Sequence, residues 1–218
     1  VRFSVIGNNN AITYKEIFPL IQSNRLWKGA TANATDMVFG VPKGSDIKPA
    51  DAAKAERLGY PADEIYDYTR LGNSCWFTNI EHGRRHEPLQ LMTMADNLRY
   101  SKHKQLIENG YLTYGNYDAI EVPFVDAIPS DYTGVMGVPI TFLDKYNPDQ
   151  FELLGRDGDL DLSVTYDFFT PPCAEDEDKY KRANRTWRVQ NAYIVTGGVA
   201  QTAYKRIFIR NLHKEQKA

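Results

Sequence analysis

The stretch ITFLDKYNPDQFELLG, residues 140–155, decides how the second half of this chain is read. Asn147 suits a helix N-cap, and Pro148 suits the first helical position, where its missing N–H costs nothing. Asp149 would sit at the positive end of the helix dipole, and Gln150 at the third position of a capping box. Gly155 suits the residue that stops a helix. The spacing therefore predicts a capped helix start at 147 and a stop at 155.

The same residues invite a chemical reading. Catalysis on the exocyclic amine of a base needs acceptors for two protons and an aromatic face to hold the base. Asn147 and the Pro148 carbonyl could accept, but Asp149 and Gln150 follow, and Phe151 comes one residue late. The other proline pair, Thr170-Pro171-Pro172-Cys173, lacks both the amide and the aromatic. Neither is a catalytic motif.

Outward from this stretch, 95–109 has a helical pattern that ends at Gly110, and 111–139 is rich in aromatics, Pro and Gly. The runs NAYIV and AYKRIFIR are strand-like, with TGGVAQT as the turn between them. At the other end, VRFSVIG has the alternation of a buried strand. Thr13-Tyr14-Lys15-Glu16 matches a capping box, and Ile17, Leu20 and Ile21 mark the buried face of a helix running to about Asn24. Val38–Val41 and Cys75–Asn79 read as neighbouring strands joined by a polar excursion from Lys43 to Leu71. Short helices are expected in it around Lys48–Leu58 and Pro61–Tyr66. A soft boundary near 81 separates an α/β portion, 1–80, from a mixed α+β, loop-rich region, 81–218.

The chain has 218 residues, 42% hydrophobic and 25% charged, which suits an ordinary globular protein. No apolar run approaches the roughly 18 residues of a membrane span. No signal peptide is evident, and Cys75 and Cys173 are too few for a disulfide scaffold, so a cytoplasmic protein is expected. A natural chain rarely begins in mid-strand without Met, so Val1 suggests part of a longer chain or a processed product. From Asp178 to Ala218 the net charge is +8, against −10 for the rest. That basic segment is a candidate face for a polyanion.

His82 and His86 are four apart, but Gly83 and Pro88 argue against a helix that would align them, and no metal site is expected. The run GVMGVP lacks the Lys and following helix of a phosphate loop. Lys181, Arg182, Arg185, Arg188, Lys205, Arg206 and Arg210 interleave with Tyr180, Trp187, Tyr193 and Tyr204. Such cations neutralise phosphates; the aromatics could stack on unpaired bases or fill the core. Arg84 and Arg85 form a second basic loop.

The run 140–155, with IGNNNAITYKEIFPLI at 6–21, GNSCWFTNI at 72–80 and YDAIEVPFVDAIPSDYTGVMGVP at 117–139, resembles the EcoRI-type adenine-specific DNA methyltransferases. The blocks come in the family's order, and YKRIFIR is similar to its usual ending. The resemblance implies an S-adenosylmethionine-dependent enzyme acting on adenine N6 in double-stranded DNA. It implies a seven-stranded methyltransferase sheet followed by a target-recognition region. In that frame VRFSVIG is the fifth strand, and 38–41 and 75–79 close the sheet as a hairpin. The family's Gly-rich cofactor loop and its Asn-Pro-Pro-Phe motif lie before that strand and are absent here. The chain thus resembles the C-terminal part of such an enzyme. No catalytic residue is assigned to it, and alone it is expected to bind no cofactor and to leave DNA unmethylated. By the same resemblance Phe39 is the base-contact candidate. DNA contacts would come from Arg84, Arg85 and the basic C-terminal strands. The expected partners are DNA and either the missing N-terminal half or a second copy. The alternative is an interaction subunit that docks on a separate cofactor-binding half.

Overall fold

A computed structural model describes residues 1–30, 36–158, 160, 165–175, 178, 188, 190–197, 199–203 and 205–212. The chain divides into two compact units, Val1–Arg84 and Arg85–Ala218.

In the first unit β1 (Ser4–Asn8) leads through a 3-10 turn (Asn9–Thr13) to α1 (Phe18–Gln22) and β2 (Trp27–Lys28). Then come β3 (Met37–Pro42), α2 (Pro49–Arg57), β4 (Tyr66–Leu71) and β5 (Ser74–Thr78). One sheet has the order β1-β5-β2, with β5 antiparallel to both neighbours; β3 and β4 form a separate antiparallel pair. Phe18, Ile21, Leu26, Trp27, Cys75 and Phe77 are buried.

Four expectations are corrected here. Val38–Val41 pairs with 67–70, not with Cys75–Asn79, which joins β1 and β2 instead. The excursion thus folds back on β3 before the chain returns to the sheet. The first strand is not buried: it lies at the sheet edge with Val5 and Ile6 exposed. Thr13 does not cap α1; its hydroxyl donates to the Asn10 carbonyl (2.8 Å), and the helix starts later, beside Pro19. Residues 61–66 form no helix. Asp63 accepts the N–H groups of Ile65 (2.8 Å) and Tyr66 (2.6 Å), a local turn that competes with helix and feeds β4. The helix expected around 48–58 is present as α2.

The second unit contains α3 (Met94–Tyr100), α4 (Lys104–Asn109), β6 (Ala119–Glu121), β7 (Val135–Pro139) and β8 (Phe151–Arg156). The hairpin β9 (Tyr193–Thr196) and β10 (Val199–Thr202) follows, then β11 (Arg206–Asn211). The main sheet has the order β6-β7-β11-β8, with β6 parallel to β7 and β11 antiparallel to β7 and β8. Tyr114, Tyr117, Phe168 and Phe208 pack on it, with Tyr117 and Phe208 stacked at 4.2 Å.

The predicted helix after Asn147 is a strand. The Asn147 side chain accepts the Asp149 N–H (2.8 Å), and its carbonyl accepts those of Gln150 (3.1 Å) and Phe151 (3.0 Å). One turn forms and the chain then extends into β8. Phe151 and Leu153 are buried while Glu152 is exposed, the period of two that a half-buried strand requires. Gly155 stops no helix. It lies opposite Phe208, and a Cβ there would come 2.7 Å from Leu160. The helix predicted over 95–109 is split, because His103 stacks on Phe124 at 3.6 Å and pairs with Asp126 at 2.9 Å. Gly110 ends α4 with φ +67°, as its position suggests. The run VAQT, expected in a turn, is β10; it pairs with β9, and the IFIR strand pairs with β7 and β8. Among the described residues the sheets are small and separate, not one continuous methyltransferase-type sheet.

Candidate nucleic-acid interface

The basic residues expected to meet DNA divide by what surrounds them. Arg206, at the start of β11, points inward. Its Nε donates to both carboxylate oxygens of Glu121 on β6 (2.9 and 3.0 Å), its Nη2 reaches the same carboxylate, and the Tyr114 hydroxyl donates to it as well. Both charged side chains are nearly buried, 12% and 8% exposed. Burial opposes the Arg206 charge, but the Glu121 bonds outweigh it and hold the guanidinium above its ordinary pKa. Burial, and then Glu121, push the Tyr114 phenol well up. Arg206 is thus a structural cation, not the surface contact its sequence position suggested.

Next to this group stands Asp157, just after β8. Burial pushes its carboxyl up to about 7, against the pull of the Ala192 N–H and of Arg206. Asp157 belongs to a clamp on the segment that enters β9. It accepts the Ala192 N–H (2.6 Å), and the Asn116 side chain donates to the Asn191 carbonyl (2.8 Å) and accepts the Tyr193 N–H (3.3 Å). The Tyr117 hydroxyl donates to the Gln190 carbonyl, and Gly158 N–H to the same oxygen (3.1 Å). Ala203 N–H donates to Ala192 (3.2 Å), closing the root of the hairpin. Exposed Arg188 and exposed Lys205 leave from this root. Neither Asn116 nor Asp157 stood out in the sequence, because their partners are backbone groups up to 77 positions away.

Arg210 is half-buried and lies 3.4 Å from Glu152 and 3.8 Å from Asp167. Arg84 is exposed and donates to the Ala30 carbonyl, while Arg85 is buried. Lys181, Arg182 and Arg185, with Tyr180, Trp187 and Tyr204, lie outside the described residues. Phe39 is half-buried on β3 opposite Thr69. Its strand pairs with β4 and is not a neighbour of β5. His82 donates to the Lys28 carbonyl (3.0 Å), and His86 to Asp149 (2.6 Å). Among the described residues no group of three or more His, Cys, Asp or Glu could hold a metal ion. No helix among them is long and apolar enough to cross a membrane.

Asp149 and Gln150 acquire a role the sequence did not suggest. The Gln150 amide accepts the Leu89 N–H (2.7 Å) and donates to the Leu89 carbonyl (3.0 Å), so the Asn147 turn fastens the segment 86–89.

The type II methyltransferase M.EcoRI of Escherichia coli is 40% identical over 166 residues, covering 75% of this chain and 46% of its own length. M.MpnI of Mycoplasma pneumoniae is 35% identical over 153 residues, covering 70% and 43%. M.MgeORF184P of Mycoplasma genitalium is 36% identical over the same length, covering 70% and 44%. The chain therefore spans about half the length of the relatives it matches. No solved structure matches it. Residues 1–212, nearly the whole sequence and both compact units, match the family described as adenine-specific methyltransferase EcoRI, and the chain belongs to that family.

Proposed function

We propose that this chain is the C-terminal, DNA-recognising portion of a site-specific DNA adenine N6-methyltransferase of a restriction-modification or phage system. The family match over residues 1–212 carries this reading. Exposed Arg188 and Lys205 at the clamped hairpin root support it. Phosphate contacts come from such cations when they are fixed at the surface. We assign DNA contact to Arg84, Arg188, Lys205 and Arg210, with Lys181, Arg182 and Arg185 included on sequence grounds. Arg85 and Arg206 are assigned as supports. Phe39 is retained as the base-contact candidate of the resemblance.

S-adenosylmethionine would supply the methyl group in the whole enzyme. By the resemblance, the Gly-rich loop that would hold it precedes β1, and the loop after β1 is tied down by its own side chains: Asn8 accepts the Asn10 N–H (2.8 Å) and an Asn73 amide proton (3.2 Å), and Asn9 accepts from Lys28 (2.7 Å). No methyl-transfer step is assigned to this chain.

The test is duplex-DNA binding as a function of salt. Affinity should fall steeply with salt, and Arg188→Ala and Lys205→Ala should each reduce the log–log slope by about 1. Absence of salt-dependent binding refutes the recognition role. Methylation of DNA by the chain unaided refutes its assignment as a non-catalytic portion. The second reading, an interaction subunit, is favoured by the open edge of β1.

A further inference from the structure

The hairpin of β9 and β10 is a two-stranded ribbon, with no third strand beside it among the described residues. It is held at its root. Tyr193 and Ala200 are fully buried there; Gly115 N–H donates to the Tyr193 carbonyl (2.9 Å), and Asn116 accepts the Tyr193 N–H (3.3 Å). Together with the bonds from Asp157 and Tyr117 to residues 190–192, this fixes the direction in which the ribbon leaves. Beyond Tyr193 its side chains open to solvent. In an antiparallel pair, directly opposed residues share a face. Thr196 stands opposite Val199 and Ile194 opposite Gln201, so these four share one. On it Ile194 packs against the core, while Thr196, Val199 and Gln201 are exposed. Among the described residues no side chain bonds the Gln201 amide, which leaves its donor and acceptor turned to solvent together.

Charge singles out one kind of occupant. Residues 193–202 carry no charge, and no Asp or Glu occurs from Lys179 to Lys214. Exposed Arg188 and Lys205 flank the root, while the nearby carboxylates of Glu121 and Asp157 turn inward, to Arg206 and to the Ala192 N–H. A polyanion thus meets cations at the base of the ribbon and no repelling group along it. Size agrees. Two strands lie about 4.8 Å apart, and three residues beyond Tyr193 reach about 10 Å. The major groove of duplex DNA is about 12 Å wide and 8.5 Å deep, and it admits such a ribbon.

We propose that the β9–β10 ribbon enters the major groove and that Gln201 is a specificity-determining residue, pairing with N7 and N6 of an adenine that stays in the duplex. This rests on the reading of the chain as the DNA-recognising portion. Val199, beside Gln201 on the exposed face, supplies an apolar contact of the kind a thymine methyl group accepts. Arg188 and Lys205 hold the phosphates at the rim and carry no sequence information.

The experiment selects duplexes from a randomised pool with the full chain and then measures affinity for the selected sequence and its single-base variants. The parent should enrich a sequence containing an adenine that Gln201→Ala no longer distinguishes, with discrimination there falling about 5- to 150-fold. The salt slope of Gln201→Ala should stay that of the parent, whereas Arg188→Ala should lower the slope by about 1 and keep the preference. Replacing that adenine by 7-deazaadenine removes the N7 acceptor; it should weaken binding by the parent and leave Gln201→Ala unaffected. Circular dichroism checks that the variants stay folded, which the exposure of both positions permits. Salt-dependent binding whose preference survives Gln201→Ala overturns the proposal and assigns the ribbon to another partner. Binding with no sequence preference, or equal sensitivity of parent and Gln201→Ala to 7-deazaadenine, overturns it too, and in each case DNA binding itself stands. Absence of salt-dependent binding instead refutes the recognition reading, and this proposal with it.

Discussion

Removing one partner of the Glu121–Arg206 pair should cost the second unit much of its stability. Glu121→Ala leaves a guanidinium with 12% exposure facing the space its carboxylate filled, and leaves the Tyr114 hydroxyl without its acceptor. Breaking a buried pair in this way costs about 3–5 kcal/mol, because the remaining charge stays desolvated. A domain of this size is stable by only about 5–15 kcal/mol, so the single variant should unfold at a much lower urea concentration. Arg206→Met should be comparably harmful, since it leaves a nearly buried carboxylate. The double variant Glu121→Leu/Arg206→Met removes both charges and should recover most of the loss. The assay is urea unfolding followed by circular dichroism for the parent, both single variants and the double. A single-variant loss below about 1 kcal/mol would refute the argument, because a buried unpaired charge cannot be that cheap. Additive losses in the double variant would refute the coupling. If the double variant folds, it should bind DNA as the parent does, since Arg206 is assigned a supporting role.

Three further outcomes are expected. The fold holds the Asp157 carboxyl near 7, above its ordinary 3.8, so the fold favours the protonated form; the contribution of Asp157 to stability should be fullest below about pH 4 and decline as pH rises to about 7. Asp157→Asn keeps an acceptor for Ala192 and should flatten that decline in urea midpoints taken from pH 4 to 8; an unchanged slope would assign the effect to another group. Gly115→Ala places a Cβ about 2.3 Å from the Tyr193 ring and should cost about 1–3 kcal/mol, read as a lower urea midpoint. Asn147→Ala removes the acceptor for Asp149 N–H and should cost about 0.5–2 kcal/mol in the same assay, and a neutral result would mean the turn does not need that side chain.

Much of the local organisation was legible from residues alone. The strands near the N-terminus, at 75–78 and at the C-terminal end, the helix at 49–57 and the stop at Gly110 follow from apolar period and breaker residues. The blocks around 6–21, 72–80, 117–139 and 140–155 were enough to point to the family. The sequence misled where two local patterns competed. Asn147 to Gly155 carries good cap residues at both ends, but Phe151-Glu-Leu alternates with period two, and a neighbouring strand supplied the hydrogen bonds. Local propensity is worth tenths of a kcal/mol per residue, and burying Phe151 and Leu153 is worth several times that.

The candidate interface shows the same division. A list of arginines and lysines is a sequence property, and so is the +8 charge of the last segment. Which cations face outward is not. Arg206 and Lys205 are adjacent in the chain, yet one is locked on Glu121 and the other is exposed. Strand geometry sends successive side chains to opposite sides, and only the sheet order decides which side is the core. Likewise, composition gave β1 its apolar residues, while its place at the end of the order β1-β5-β2 left them uncovered. The sequence by itself determined the chemistry available: the family, the cations and the apolar runs. Tertiary structure decided their use, because pairing between residues 85 apart, as for Glu121 and Arg206, depends on long-range contacts that no local period encodes.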